Sequence, residues 1–596
     1  MTQAKQKNLN TVMTVVFGIA AIFCVVAVFA ICIFLIIRGI PAMAKVGLFD
    51  FLFGTKWDPE PSDAFDKALE GMYGILPMIV GTIFTTIGSV LVGGTIGYLS
   101  AIFLAKFCPK KIKGFLTQVV NLLAGIPSVI YGFFGMRVLL PFFGNFTSNG
   151  SGVGVFSASI VLGVMILPTV VSLSKNAIEA VPDAYYEGAR ALGASHEQAV
   201  FKVVVPAARS GVLASLILGV GRAMGETMAV VMVAGNSPRI PTSLFQSFRT
   251  LTSTIVMDMG YAEEVQLSAL FAIGCVLMLL VLAVTIVLRV VTREKKGNRD
   301  GNQGRLTPDW LRGFYAKIDR PLGKFKKGCC YGATIFATVA LAGIVLFVMI
   351  NGIPNITWEL LTTDFSYVGG GPTIMPSLVA TGLLILVSLV IAIPLGIATS
   401  IYLHEYTKRG NPLVKVVRTA IEVLSGVPSI VYGLFGMAFF CSFMNLGTSI
   451  AAGALTMAIM ILPVIVRSTE EALIAVPDSY REGSYALGAT KLRTVFKVVL
   501  PSALPGILSA VILAMGRVIS ESAPLMYTMG TSPSPAPSGL SSGGTSLAVI
   551  LYYYAREGLS LNQAYATAAI LMIVVLGLNL LSTFLVKKLQ RRTTGA

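Results

Sequence analysis

The sequence predicts an all-α membrane protein: two homologous six-span domains, with about 12 transmembrane helices of ~20 apolar residues each. A pseudo-two-fold axis along the membrane normal is expected to relate them. Three observations carry this. Of 596 residues, 55% are hydrophobic and only 12% charged, with a mean hydropathy of +0.80. A soluble surface needs about a quarter of its residues charged. The apolar residues fall into two sets of runs separated by one polar stretch, and the two sets repeat each other.

Taken in order, the first apolar runs lie near 12–37, 74–105, 116–141, 153–174, 210–235 and 265–292. The second set lies near 329–350, 373–403, 415–443, 449–466, 505–530 and 563–586. Run 12–37 is too long for a signal-peptide core and lacks a small-residue cleavage site, so it is expected to span. Between the sets, REKKGNRDGNQGRLTPDWLRGFYAKIDRPLGKFKK (Arg293–Lys327) is the most polar stretch. The expected division is a first transmembrane domain over 1–293, a basic cytoplasmic linker over 294–327, and a second transmembrane domain over 328–596.

Charge placement fixes the orientation. The net charge is +17, a value compatible with nucleic-acid binding. However, the basic clusters Lys106–Lys113, Arg293–Lys327, Lys408–Arg418 and Lys587–Arg592 alternate with loops that are acidic or uncharged. With both termini cytoplasmic, every basic cluster lands inside. The charge is therefore topology, and no nucleic-acid partner is expected. Seven cysteines without a CxxC, and only two histidines, His196 and His404, speak against a metal site.

The repeat is explicit. Val181–Thr227 and Val476–Ser522 align without a gap at an offset of 295, with 24 of 47 positions identical. Upstream, GIPSVIYGFFGM (Gly125–Met136) matches GVPSIVYGLFGM (Gly426–Met437). Both copies enter the membrane from the same face, which sets the axis along the normal. The best-retained stretch is a loop, VPDAYYEGARALGASHEQAVFKVVVPAA against VPDSYREGSYALGATKLRTVFKVVLPSA. Each copy predicts a short amphipathic helix after Pro-Asp, a glycine stop (Gly193, Gly488) and a proline opening the next span (Pro206, Pro501).

This loop resembles the EAA loop of ABC-transporter importer permeases, E-A-A, three residues, G, nine residues, I-x-L-P. Glu187, Gly193 and Pro206 match that spacing, as do Glu482, Gly488 and Pro501, with Gly188-Ala189 and Gly483-Ser484 in place of Ala-Ala. The resemblance implies that each loop docks on a separate ATPase subunit. The sequence contains no GxxxxGK[ST] to cradle ATP phosphates.

Beyond each loop lies the same buried pair: Arg222 and Glu226 in GRAMGET, Arg517 and Glu521 in GRVISES. Arg222 falls sixteen residues past Pro206, ~24 Å along a helix. Arginine at that depth costs at least ~2.5–3.5 kcal/mol in lipid, so these groups are expected to line an interior, with each Glu one turn beyond its Arg on one helical face. Two readings follow from the residues. The pairs either neutralise each other as structural glue, or they meet at the axis as a gate for an oxyanion that suits the guanidinium fork. Arg467 carries a weaker expectation of the same kind, because Ser172 replaces it in the first half.

Together these segments resemble the permeases of the phosphate-specific transport (Pst) system. The first half resembles PstC through GIPSVIYGFFGM and GRAMGETMAVVMVAGN. The second resembles PstA through LPVIVRSTEEAL and GRVISESAPLMYTMG. The resemblance implies a fused permease in the cytoplasmic (inner) membrane, without a catalytic site of its own. It also implies two copies of a cytoplasmic ABC ATPase (PstB-like) holding ATP-Mg, an extracytoplasmic phosphate-binding protein (PstS-like), and inorganic phosphate as cargo. No cofactor is expected in this chain. The alternatives are an ABC permease for phosphonate, sulfate or molybdate, and an ion-coupled secondary transporter.

Overall fold

The computed structural model describes residues 3–59, 73–147, 150–292, 309–366, 373–407, 411–556 and 560–594. Among the described residues every regular element is helical, apart from two isolated bridges, Trp57 with Tyr73 and Gly235 with Phe248. Nine helices among them are long and apolar enough to cross a membrane, or eleven if each of two bent pairs is one span. The chain is thus a multi-pass all-α protein of two matching halves.

The third predicted run of each half is not one straight span. In the second half Pro412–Gly426 meets Ser429–Phe443 at a bend of 100°. In the first, Lys110–Leu123 ends before Pro127, and a new helix starts at Ser128. The cause is the GIPS/GVPS motif. Pro127 (φ −58°, ψ 140°) and Pro428 (φ −59°, ψ 144°) are extended caps, because proline has no N–H and drives its predecessor out of helical geometry. The arm before the bend is amphipathic, with Lys110 and Lys111 exposed, and suits the membrane surface.

The core lies around the fourth helix of each half. The most apolar windows of Val155–Glu179 and Ile450–Ile474 are each 78% buried, against 33% for the first helix, Asn10–Val46. Small residues permit this closeness. A side chain at Gly93 would run into the Gly163 carbonyl, and one at Gly396 would meet Ile465 at 2.5 Å. The first helix instead turns Val15, Ile19, Val26, Phe29 and Ile33 outward, where lipid accepts them.

The first helices are exchanged between the halves. Helix Gln3–Val46 packs on Glu264–Thr292 of its own half, and also on Met375–Ile401 and Pro412–Gly426 of the other. Phe34 enters an aromatic cluster with Phe435, Phe439 and Phe443 at centroid distances of 6.1, 5.3 and 6.0 Å. Reciprocally, helix Asp309–Gly352 packs on Thr95–Ile102 of the first half, with Phe347 against Phe134 at 5.4 Å.

That helix also revises the expected linker. Residues 294–308 lie outside the described residues. From Asp309 the chain is one helix running into the membrane segment, so the expected boundary at 327 is not a structural break. Its N-terminal part rests on the first half, with Lys327 Nζ 3.4 Å from Glu197 Oε1 and Lys326 over the Phe201 ring at 5.8 Å.

Candidate functional site

Each fifth span is broken at its glutamate. Helix Arg209–Gly225 stops, Glu226 is extended (φ −74°, ψ 136°), and Met228–Val233 resumes the helix. The second half repeats this with Leu500–Ser520, Glu521 (φ −84°, ψ 138°) and Ala523–Thr528. The expectation that Arg and Glu share one face of a continuous helix is therefore corrected: each Arg ends a helix and each Glu occupies the gap.

A gap at this depth persists only where its backbone groups find partners. Thr252 donates to the Glu226 carbonyl at 2.9 Å. Close approach of the other half fixes the position. A Cβ on Gly225 would lie 3.3 Å from the Pro428 ring, and Ser520 Oγ lies 3.4 Å from the Gly125 carbonyl. Each gap is thus seated against the proline bend of the opposite half.

This brings the two pairs together. Arg517, Glu226 and Arg222 all act electrostatically on the Glu521 carboxylate. The rings of Tyr131 and Tyr432 are buried within electrostatic range of Arg222 and of Arg517 with Glu521, respectively. The side chains of Arg517 and Glu521 keep 36% and 20% of their surface accessible, which leaves the charges open to a small solute. The pairing is unequal. Arg517 Nε lies 3.7 Å from Glu521 Oε1, whereas Arg222 donates to Thr169 Oγ1 at 2.8 Å. Among the described residues no ion pair joins Arg222 to Glu226. Arg467 is not brought into this group: it is half-buried near the end of Ile450–Ile474, with no ion pair or hydrogen bond among the described residues.

The repeated loops form matching surface helices, Asp183–Ala191 and Asp478–Ala486. An aspartate in each first turn complements the helix dipole. Gly193 (φ 85°) and Gly488 (φ 78°) take left-handed caps, with Ala194 and Ala489 N–H groups returning to Ala189 and Ser484 carbonyls at 3.1 Å each. The next helix does not open at the proline. It opens earlier, at His196 and Lys491, capped by Ser195 and Thr490. Pro206 and Pro501 sit inside it, just past the π-turns Val200–Val204 and Val495–Val499. The wider turn accommodates the missing N–H. Glu187 and Glu482 are exposed, and Leu192 and Leu487 are each 91% exposed. The same leucine is thus left bare in both copies.

The loops are anchored by different chemistry. Tyr186 Oη meets His196 Nδ1 at 2.8 Å, and Lys106 reaches Asp183 at 3.8 Å. In the second half Arg481, at the position of Tyr186, is buried and bonds Glu405 at 2.8 Å and the Leu473 carbonyl at 2.9 Å. Burial first, then Glu405 beside it, raises the neighbouring Tyr485 phenol above its ordinary pKa. Arg481→Ala would strand Glu405, whose side chain is 5% exposed. The expected loss is about 3–5 kcal/mol, read as a lowered unfolding temperature of the purified protein. Lys106→Ala, facing an 84% exposed Asp183, is expected to cost no more than about 1 kcal/mol.

Thr169 and the Arg481–Glu405 pair carry no repeat signal that would single them out. Each lies where the two halves mismatch, Thr169 against Val464 and Tyr186 against Arg481.

Two helical halves that meet at broken, charged helices and present paired surface loops define an integral membrane permease. Residues 93–297 and 392–595 each match the family described as binding-protein-dependent transport system inner membrane component, and the chain belongs to that family. A probable ABC transporter permease protein, YqgH of Bacillus subtilis, is 38% identical over 280 residues, covering 46% of this chain and 88% of the relative. A phosphate transport system permease protein PstA homolog of Mycoplasma pneumoniae is 29% identical over 567 residues, 86% of each chain. The phosphate transport system permease protein PstC of Haemophilus influenzae is 32% identical over 292 residues, 44% of this chain and 90% of its own.

Proposed function

We propose that this chain forms the translocation pathway of an ATP-driven phosphate importer, fusing a PstC-like and a PstA-like permease. What supports this is that both helix gaps, with Arg222 and Glu226 in one half and Arg517 and Glu521 in the other, are seated against the opposite half, within electrostatic range of Glu521. Two guanidinium forks offer a tetrahedral oxyanion planar, bidentate hydrogen bonds, and the two carboxylates balance their charge so that the ion is released again. The relatives named for phosphate transport favour phosphate over phosphonate, sulfate or molybdate.

Energy enters through the surface helices. Two copies of a cytoplasmic ABC ATPase (PstB-like), holding ATP-Mg, cover Leu192 and Leu487. Closure of the ATPase dimer moves the two loops and rocks the halves about their axis. An extracytoplasmic phosphate-binding protein delivers the cargo on the opposite face, and both termini lie on the cytoplasmic side. The chain itself carries out no covalent chemistry. Reconstitution in vesicles with such an ATPase and binding protein tests this. The expected result is phosphate accumulation that needs ATP and all three components. Uptake without the ATPase would instead make this an ion-coupled transporter.

A further inference from the structure

Arg222 and Arg517 occupy equivalent places in the repeat, yet different groups hold them. Arg222 donates to Thr169 Oγ1 at 2.8 Å, while Arg517 leans on the Glu521 carboxylate at 3.7 Å. The residue equivalent to Thr169, at the offset of 295 that aligns the fifth spans, is Val464, which has no hydroxyl. Thr169 follows Pro168 in Val155–Glu179, a helix 78% buried over its most apolar window, so its position is firmly set. The chemical consequence is unequal. A neutral hydroxyl occupies one of the five guanidinium donors and leaves the charge whole. A carboxylate takes donors and cancels charge together.

We propose that Thr169 is a positioning residue for transport: it aims the Arg222 guanidinium into the space between the halves without tying it into a direct ion pair. Arg222 is then the standing contact for the anion. Arg517 joins only when Glu521 moves away, so the ion is taken up in two steps of fixed order. This rests on Arg222 being part of the transport pathway.

The test compares Thr169→Val, Thr169→Ser and Arg222→Ala in vesicles containing the whole transporter, its ATPase and phosphate-loaded binding protein. Valine keeps the shape of threonine and removes the hydroxyl; serine keeps the hydroxyl and removes a methyl group. Turnover in Thr169→Val is expected to fall about tenfold, the worth of one hydrogen bond to a charged group. The concentration of loaded binding protein at half-maximal rate should hold within about twofold, because docking outside is untouched. Thr169→Ser is expected to stay within about twofold of the parent rate, since the donor keeps its acceptor. A packing role predicts the reverse order, with serine worse than valine. Normal turnover in Thr169→Val, or serine as slow as valine, overturns the proposal. If Arg222→Ala is inactive while Thr169→Val is normal, only the positioning role falls; if Arg222→Ala transports normally, the pathway reading falls with it.

Discussion

Arg222→Ala or Arg517→Ala abolishes phosphate uptake while leaving assembly with the ATPase intact. The two arginines supply all the positive charge of the group, and removing either one leaves the two glutamates less balanced and the site less attractive to an anion. Loss of two charge-assisted hydrogen bonds, each worth about 1.5–3 kcal/mol, lowers turnover by at least about a hundredfold. Arg222→Lys keeps the charge but loses the planar fork, so an intermediate rate is expected. The measurement is initial uptake of labelled phosphate in vesicles, paired with recovery of the ATPase on the purified permease. Assembly should survive because the proposed docking face, around Leu192 and Leu487, lies at the ends of surface helices distinct from the broken spans. Near-normal uptake by both alanine variants would remove the pathway role.

Gly193→Glu or Gly488→Glu uncouples ATP hydrolysis from transport. Both glycines have positive φ, 85° and 78°, where an L side chain costs roughly 1–2 kcal/mol. Nothing lies within 4 Å of a Cβ at either position, so the permease alone tolerates the change. The added carboxylate would protrude beside the exposed leucine and obstruct the ATPase. Stimulation of ATP hydrolysis by loaded binding protein is expected to disappear, with the folded yield of permease little changed. Stimulation equal to that of the parent would place the coupling face elsewhere.

Much of this is legible in the sequence because duplication doubles every signal. The 24 identities in 47 positions mark both loops and both Arg–Glu pairs through residue order alone. The gaps at Glu226 and Glu521 are not legible. Apolar residues continue on both sides of them, and a break of two residues leaves hydropathy and spacing unchanged. The bends at Pro127 and Pro428 are marked by their prolines, but a hydropathy window sums across a turn of 100° without registering it. The early helix starts at His196 and Lys491 are hidden because Pro206 and Pro501 look like openings, and only a π-turn lets a helix carry them inside. The exchange of first helices leaves no trace either, since both runs are equally apolar and composition does not choose a neighbour.

That exchange bears on how the molecule is made. Helix Gln3–Val46 has its aromatic seat in Phe435, Phe439 and Phe443, which are synthesised far later than it is. At ordinary elongation rates it waits in the bilayer for on the order of half a minute with that face uncovered. Maturation therefore cannot finish one half before starting the other. Insertion machinery or lipid must hold the newborn helix until its late-arriving groove closes around it.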